Sequence, residues 1–390
     1  MNLVSPHVRA NPYPYYAELR AQAPVCQVDP GNLWAVSRYV DVLYVLKNPL
    51  LFSSQGGREL AIRPWLERNP IAGSLILMDP PKHTATRALI THAFGVRVLP
   101  RVEPLARRVC TEFAARMPGA GVFDACAEIS IMLPGNVIAN LLGLDDASIE
   151  KLRIWTEDLV SVNPGTPAEA QPRIIQTVTE LEAHVRQMLA DRRQSPRDDL
   201  ASQLLEAEIN GQRLTEDEVV SFFFLLVTAG FETTTHLITQ ALRILAMHPE
   251  LVDRLRADKA AIPDFIEEVL RFEPSTHARM RLSTADTELA GVFLPKGSLV
   301  VPLLASANRD ERQFSNPEVF DMDRKQKASL AFGHGIHFCI GATLARLEAR
   351  IVLEELLPRI RGVRLVGETQ WNASLTVRGP SRCEMELLPA

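Results

Sequence analysis

From Leu214 to His248 the chain meets no helix breaker, and Pro249 then stops the run. It opens on Leu214-Thr-Glu-Asp-Glu, where Thr215 can cap the first turn while Glu218 reaches back, a capping box. About thirty residues at ~1.5 Å each make a rod of ~45 Å, long enough to cross a whole domain. The most apolar window, Val219 to Gly230, contains Ser221 and Thr228 and is shorter than the ~20 apolar residues of a membrane span. The rod is therefore expected to be a core helix, with the rest of the chain wrapped around it.

Most of that remainder is helical in pattern. Tyr13 to Arg20, Val40 to Leu46, Thr84 to Phe94, Ala106 to Arg116 and Ile174 to Arg192 carry apolar residues three and four apart. Strand signals are few and short: Leu33-Trp-Ala-Val-Ser, then Leu299-Val-Val-Pro-Leu-Leu after a Pro295-Lys-Gly turn. The tail from Leu375 to Leu388 is expected to add a hairpin. The fold class expected is mainly α with a minor β-sheet. At ~150 residues per domain, 390 residues would admit two or three. Yet the 27 prolines are scattered and no Pro/Gly/Ser-rich linker divides the chain, so one domain over 1–390 is expected.

Composition narrows the function. Hydrophobic residues make up 46% of the chain, enough for a sizeable core and too many for wholesale disorder. A net charge of −5 argues against dedicated binding to nucleic acid or to an anionic membrane, both of which need a strong positive field. Five cysteines (Cys26, Cys110, Cys126, Cys339 and Cys383) lie far apart with no CxxC, which disfavours a disulfide scaffold or a zinc module. The amino terminus has no basic stretch leading into an apolar one, so no signal peptide is expected, and the location expected is the cytoplasm.

Four clusters carry possible chemistry. The segment Phe332-Gly-His-Gly-Ile-His-Phe-Cys-Ile-Gly341 is glycine-rich, contains Cys339, and runs into the good helix Ala342-Thr-Leu-Ala-Arg-Leu-Glu. A lone cysteine is ordinarily a small buried hydrophobe. At a helix amino terminus, however, the dipole and free N–H groups favour the thiolate and lower its pKa from ~8.5. Gly333, Gly335 and Gly341 let the backbone approach something flat and bulky. Within the long helix, Ala229-Gly-Phe-Glu-Thr233 sets a carboxylate beside a hydroxyl and suggests a local kink; a helical threonine can also simply bond the carbonyl four residues back. Glu268-Val-Leu-Arg271 is an i, i+3 pair that, alone, would be an ordinary ion pair. His83 and Arg87 are four apart, so both can face one anion.

The pattern FxxGxHxCxG from Phe332 to Gly341 resembles the haem-ligand loop of the cytochrome P-450 monooxygenases, with every fixed position met. The resemblance runs from Asn11-Pro-Tyr-Pro to Arg378-Gly-Pro and is closest to the soluble bacterial branch. It implies the single-domain cytochrome P-450 fold, haem b as cofactor, and Cys339 as the axial thiolate that binds iron. It also implies Phe332 beside the sulfur, with His337, His83, Arg87 and Arg281 on the haem propionates. Glu232 and Thr233 would supply protons to dioxygen, and Gly230 would make room for it. Glu268 and Arg271 would form a structural network completed by Arg324 of Phe320-Asp-Met-Asp-Arg. Ser329 departs from the histidine common in relatives.

The resemblance further implies insertion of one oxygen atom from dioxygen into a C–H or C=C bond of an apolar small molecule. The pocket would draw on residues 55–77, 162–172, 225–233, 275–279 and 374–376. Electrons would come from NAD(P)H through a ferredoxin and a ferredoxin reductase, and a monomer is expected. Arg97, Arg101, Arg107 and Arg108, clustered after the helix bearing Arg87, read either as a docking face for an acidic ferredoxin or as a solvated helix face. The rival expectations are a peroxide-dependent haem-thiolate oxygenase, which typically lacks the acid–alcohol pair, and a haem-based gas sensor or carrier. His92, His236 and His248, and the cysteines other than Cys339, are expected to be structural or surface groups.

Overall fold

The computed structural model describes residues 1–31, 33–144, 149–162 and 165–390. The chain is mainly helical with small sheets and divides into two compact units, each assembled from segments distant in sequence.

The first unit comprises Met1–Ser53, Arg107–Ser130 and Thr233–Ala390. It holds a five-stranded sheet in the spatial order Val25–Val28, Leu33–Val36, Leu299–Pro302, Arg281–Ser283, Phe52–Ser53. Leu33–Val36 and Leu299–Pro302, both expected as strands, pair in parallel with Val300 opposite Trp34. On its other side Val300 pairs with Arg281, which fixes where that arginine stands. An apolar core including Val36, Val42, Phe52, Val300, Leu304 and Phe314 forms on this sheet.

The tail differs from expectation. Pro380–Arg382 pairs with Gln370–Trp371, whereas Glu384–Pro389 pairs with Ile360–Leu365 and Val122–Asp124. No Leu375–Leu388 hairpin forms, because the two segments complete different sheets. Just before them, Gly379 is required by packing: a Cβ there would lie 2.0 Å from Cγ of the buried His236.

The second unit comprises Ser54–Ala106 and Ile131–Glu232. Its helices include Gln171–Gln194, wider at both ends than the expected Ile174 to Arg192. Arg186 on this helix pairs with Glu216 and Asp217 at 2.6 Å, in the first turn of the long helix. Three acids in that turn, Glu216, Asp217 and Glu218, also complement the helix dipole.

The long helix is Glu216–Met247, and its capping box is present: Glu218 N–H donates to Thr215 Oγ1 (3.3 Å) and Thr215 N–H to Glu218 Oε2 (3.0 Å). Phe222, Phe223 and Phe224 are all buried, so the helix is covered on several faces. Its most apolar 18-residue window is 72% buried inside the protein, as a core helix requires.

The two expected helices Thr84 to Phe94 and Ala106 to Arg116 are parts of one helix, Lys82–Arg116, with Pro100 and Pro104 inside. The prolines are four apart and both exposed, and the helix continues through them.

Candidate active site

The cysteine loop is built from backbone. Cys339 N–H donates to Phe332 O (3.0 Å) and closes it, Gly333 N–H bonds Leu330 O, and residues Gly335–His337 form one 3₁₀ turn. Gly333 and Gly335 sit at φ +73° and +70°, which L side chains rarely adopt. A Cβ on Gly335 would also come 2.8 Å from the Leu46 carbonyl oxygen, so only glycine lets the loop rest on the end of the helix Tyr39–Lys47. Gly341 caps the helix Ala342–Leu356.

Cys339, which is in no disulfide, is half-buried two residues before that cap, and a Cβ on Gly341 would stand 3.9 Å from its Sγ. The Phe332 ring lies under Arg346, whose guanidinium carbon is 4.5 Å from the ring centre. Glu267 in turn bonds Arg346 through both its oxygens, which ties the loop's aromatic to the helix Ile262–Phe272. Sequence reasoning did not single out Arg346 or Glu267. A cation one turn into the helix after the cysteine was the available signal.

On the same helix as Glu267, Glu268 accepts from Arg271 at 2.9 and 2.7 Å, from Arg324 at 3.2 Å and from the Asp321 N–H at 3.0 Å. All three charged side chains are buried. The remaining guanidinium donors of Arg271 reach the Asn308, Pro317 and Val319 carbonyls. This is the expected network, with each charge met by a partner. In the stretch after it, Ser329 Oγ accepts from the Ala331 N–H, a local turn contact.

Arg281 is 6% exposed at its place in the sheet, and one of its donors bonds the Met280 carbonyl. His337 is half-buried in the 3₁₀ turn of the loop. In the second unit, His83 and Arg87 lie one turn apart on Lys82–Arg116, His83 buried and Arg87 half-buried. Burial lowers the His83 pKa, the Arg87 charge lowers it further, and Asp79 partly opposes both.

The long helix stays α-helical through 229–233, so the expected kink does not interrupt it. Gly230 serves close packing there, since a Cβ would lie 3.0 Å from Ile138 Cδ1. Glu232 and Thr233 are both half-buried, and Ser275 Oγ donates to the Thr233 carbonyl at 2.8 Å.

The expected docking cluster is largely committed elsewhere. Arg101 pairs with Asp198 and Arg107 with Glu354, Arg108 is exposed, and the Arg97 side chain lies outside the described residues, as do positions 163 and 164 of the 162–172 segment. Cys110, Cys126 and Cys383 are buried, and burial raises their thiol pKa values, as suits structural residues.

The donor set fits a haem. Among the described residues no three His, Cys, Asp or Glu side chains come together to hold a metal ion. An iron whose equatorial ligands come from a porphyrin needs only one protein thiolate, and Cys339 lies at a helix start where it can supply one. The His83–Arg87 pair agrees: two bases one helical turn apart, His83 buried and Arg87 half-buried, suit an anion such as a propionate. Fold and loop together define a haem-thiolate protein.

Comparison with known proteins gives the same class. The cytochrome P450 family model matches residues 165–361. The chain is 38% identical to cyclomarin C epoxidase CymV of Salinispora arenicola over 354 residues, 90% of this chain and 89% of that one. It is 37% identical to the erythromycin C-12 hydroxylase of Saccharopolyspora erythraea over 346 residues, covering 87% and 85% of the two chains. The structure of cytochrome P450 CYP109Q5 from Chondromyces apiculatus superposes with a TM-score of 0.92 at 38% identity, covering 100% of this chain and 98% of that one. The chain belongs to the cytochrome P450 family. It is a monooxygenase, its cofactor is haem b, and its reaction uses dioxygen, an apolar substrate and electrons delivered by redox partners.

Proposed function

We propose that Cys339 is the axial thiolate of haem b, that Phe332 packs beside the sulfur, and that His83, Arg87, Arg281 and His337 hold the two propionates. The observation that carries this is the half-buried thiol of Cys339, in a glycine loop closed by its own N–H on the Phe332 carbonyl, just ahead of the helix Ala342–Leu356. Haem b held there supplies dioxygen activation and the transfer of one oxygen atom to a C–H or C=C bond. The chain's own residues do the rest.

The helix start and its free N–H groups favour thiolate over thiol. The bases at the propionates orient the ring by charge-assisted hydrogen bonds. Glu232 takes up a proton and Thr233, whose hydroxyl both accepts and donates, hands it toward dioxygen. The Ser275 bond to the Thr233 carbonyl holds that turn in place.

Residues 1–390 act as one catalytic domain, a monomer in the cytoplasm, fed by a ferredoxin and its NAD(P)H-dependent reductase. Coverage of the whole chain by a single cytochrome P450 structure supports the one-domain assignment. The paired acid and alcohol at 232–233 favour the dioxygen-using reaction over a peroxide-dependent one.

The test is the carbon monoxide complex of the reduced holoenzyme. Thiolate ligation gives a Soret band displaced to long wavelength, and Cys339→His should abolish it while haem is retained. Persistence of the band in the variant would overturn the assignment.

A further inference from the structure

Arg346 is the fifth residue of the helix Ala342–Leu356, near the end where a cation is the less favoured charge. The first turn of that helix holds no acid, unlike the long helix, whose first turn holds Glu216, Asp217 and Glu218. The positive end of the helix after Cys339 is therefore not offset from within. The counter-charge for Arg346 comes from another helix: Glu267, on Ile262–Phe272, accepts from its Nε and Nη2 on separate carboxylate oxygens.

The pair is stacked on the cysteine loop. The Arg346 guanidinium carbon lies 4.5 Å from the centre of the Phe332 ring, within the range of a cation–π contact. The Phe332 carbonyl accepts from the Cys339 N–H at 3.0 Å, so the residue under the cation is also the one that closes the loop. Arg346 and Glu267 keep 36% and 32% of their side chains exposed, and an ion pair so placed adds little to stability. A unit charge resting on the loop still acts on any electron added beside it.

We propose that Arg346 and Glu267 are positioning residues that set how readily the haem centre accepts an electron from its redox partners. Arg346, stacked on Phe332, favours the reduced state, and Glu267 tempers it. This rests on the haem-thiolate assignment of Cys339 and adds control of electron uptake to it. A positive charge near the thiolate stabilises an added electron and a negative charge opposes it, so the two residues act with opposite signs. The two-point contact with Glu267 holds the guanidinium over the ring.

The test is the midpoint potential of the substrate-free holoenzyme in wild type, Arg346→Gln, Glu267→Gln and the double variant. Haem content and the carbon monoxide band are recorded on the same samples. Arg346→Gln should shift the reduction equilibrium about two- to tenfold toward the oxidised form, and Glu267→Gln by a similar factor toward the reduced form. The double variant should return close to wild type, and Arg346→Lys should recover most of what Arg346→Gln loses. Both shifts should shrink as salt is raised, since the pair is partly exposed.

Shifts of the same sign in the two single variants, or unchanged potentials in both, overturn the proposal and leave the pair as a clasp between two helices. So does a double variant in which the single shifts fail to cancel. If Arg346→Gln loses its haem, Glu267→Gln decides: a higher potential supports the proposal, and a lower or unchanged one overturns it. The carbon monoxide band keeps the two questions apart, because a normal band with unmoved potentials strikes this inference and leaves Cys339 as assigned.

Discussion

Two buried carboxylates in the same unit are treated in opposite ways. Glu268 accepts from two guanidiniums and a backbone N–H, and every charge around it is met. Glu348, on the helix that follows Cys339, is 3% exposed, and burial alone raises its pKa to about 8. Arginines repeat the contrast, with Arg271 fully bonded and Arg279 held by two long contacts. Where the chain satisfies its own charges the region is scaffold. Where burial leaves a carboxylate without a counter-charge, as at Glu348, the neutral form is favoured.

The largest effect should come from breaking the satisfied side. Arg271→Ala leaves the Glu268 charge buried with one guanidinium, and removing one member of a buried pair costs about 3–5 kcal/mol. We expect a fall of that order in urea-unfolding stability. Arg271→Lys should not rescue it, because an ammonium cannot replace the fork that spans both Glu268 oxygens and three carbonyls.

Next is the proton supply at 232–233. Positioned proton transfer contributes ~10²–10⁴ in rate, so Glu232→Gln should slow turnover by a factor in that range with substrate affinity little changed. Thr233→Ala should still consume NAD(P)H but release hydrogen peroxide in place of product. A Thr233→Ala enzyme that stays fully coupled would show that the substrate carries its own proton donor.

A third test sharpens the unsatisfied side. An unfolded glutamate ionises near pH ~4.3, whereas Glu348 stays protonated in the native protein up to about pH 8. Between those values the native state holds the extra proton, so this residue's contribution to stability falls as pH rises and levels off above about 8. Glu348→Gln should remove the slope, so its melting temperature should overtake wild type toward pH 8. Identical pH profiles would refute the account of this residue.

The smallest effect is expected at the surface. Arg68 pairs with Asp217 at 2.8 Å with both side chains well exposed, so Arg68→Ala should cost under ~1 kcal/mol and less still in high salt.

The contrast also marks what the sequence could disclose. The loop from Phe332 to Gly341 is legible because its residue types stand at a fixed local spacing. The Glu268–Arg271–Arg324 set was legible only through the family resemblance, since Arg324 lies 56 residues from Glu268 and the i, i+3 pair alone reads as an ordinary ion pair. The capping box at Thr215 and the strands at Leu33 and Leu299 were legible from local pattern, like the loop. Joining 84–94 to 106–116 was not, since Pro100 and Pro104 read locally as helix breakers, yet the helix runs through both. The strand partners of the tail depend on residues 122–124 and 360–365, far away in the chain. The solitude of Arg279 and Glu348 is a property of tertiary surroundings, and no residue pattern announces it.

The central claim is that Cys339 alone provides the protein's ligand to haem iron. X-ray absorption at the iron edge of the holoenzyme tests it most directly, by counting sulfur atoms in the first coordination shell. The account predicts one sulfur in wild type, one in each of Cys26→Ser, Cys110→Ser, Cys126→Ser and Cys383→Ser, and none in Cys339→His. A sulfur shell that survives in Cys339→His, or that vanishes with any other cysteine, would contradict it.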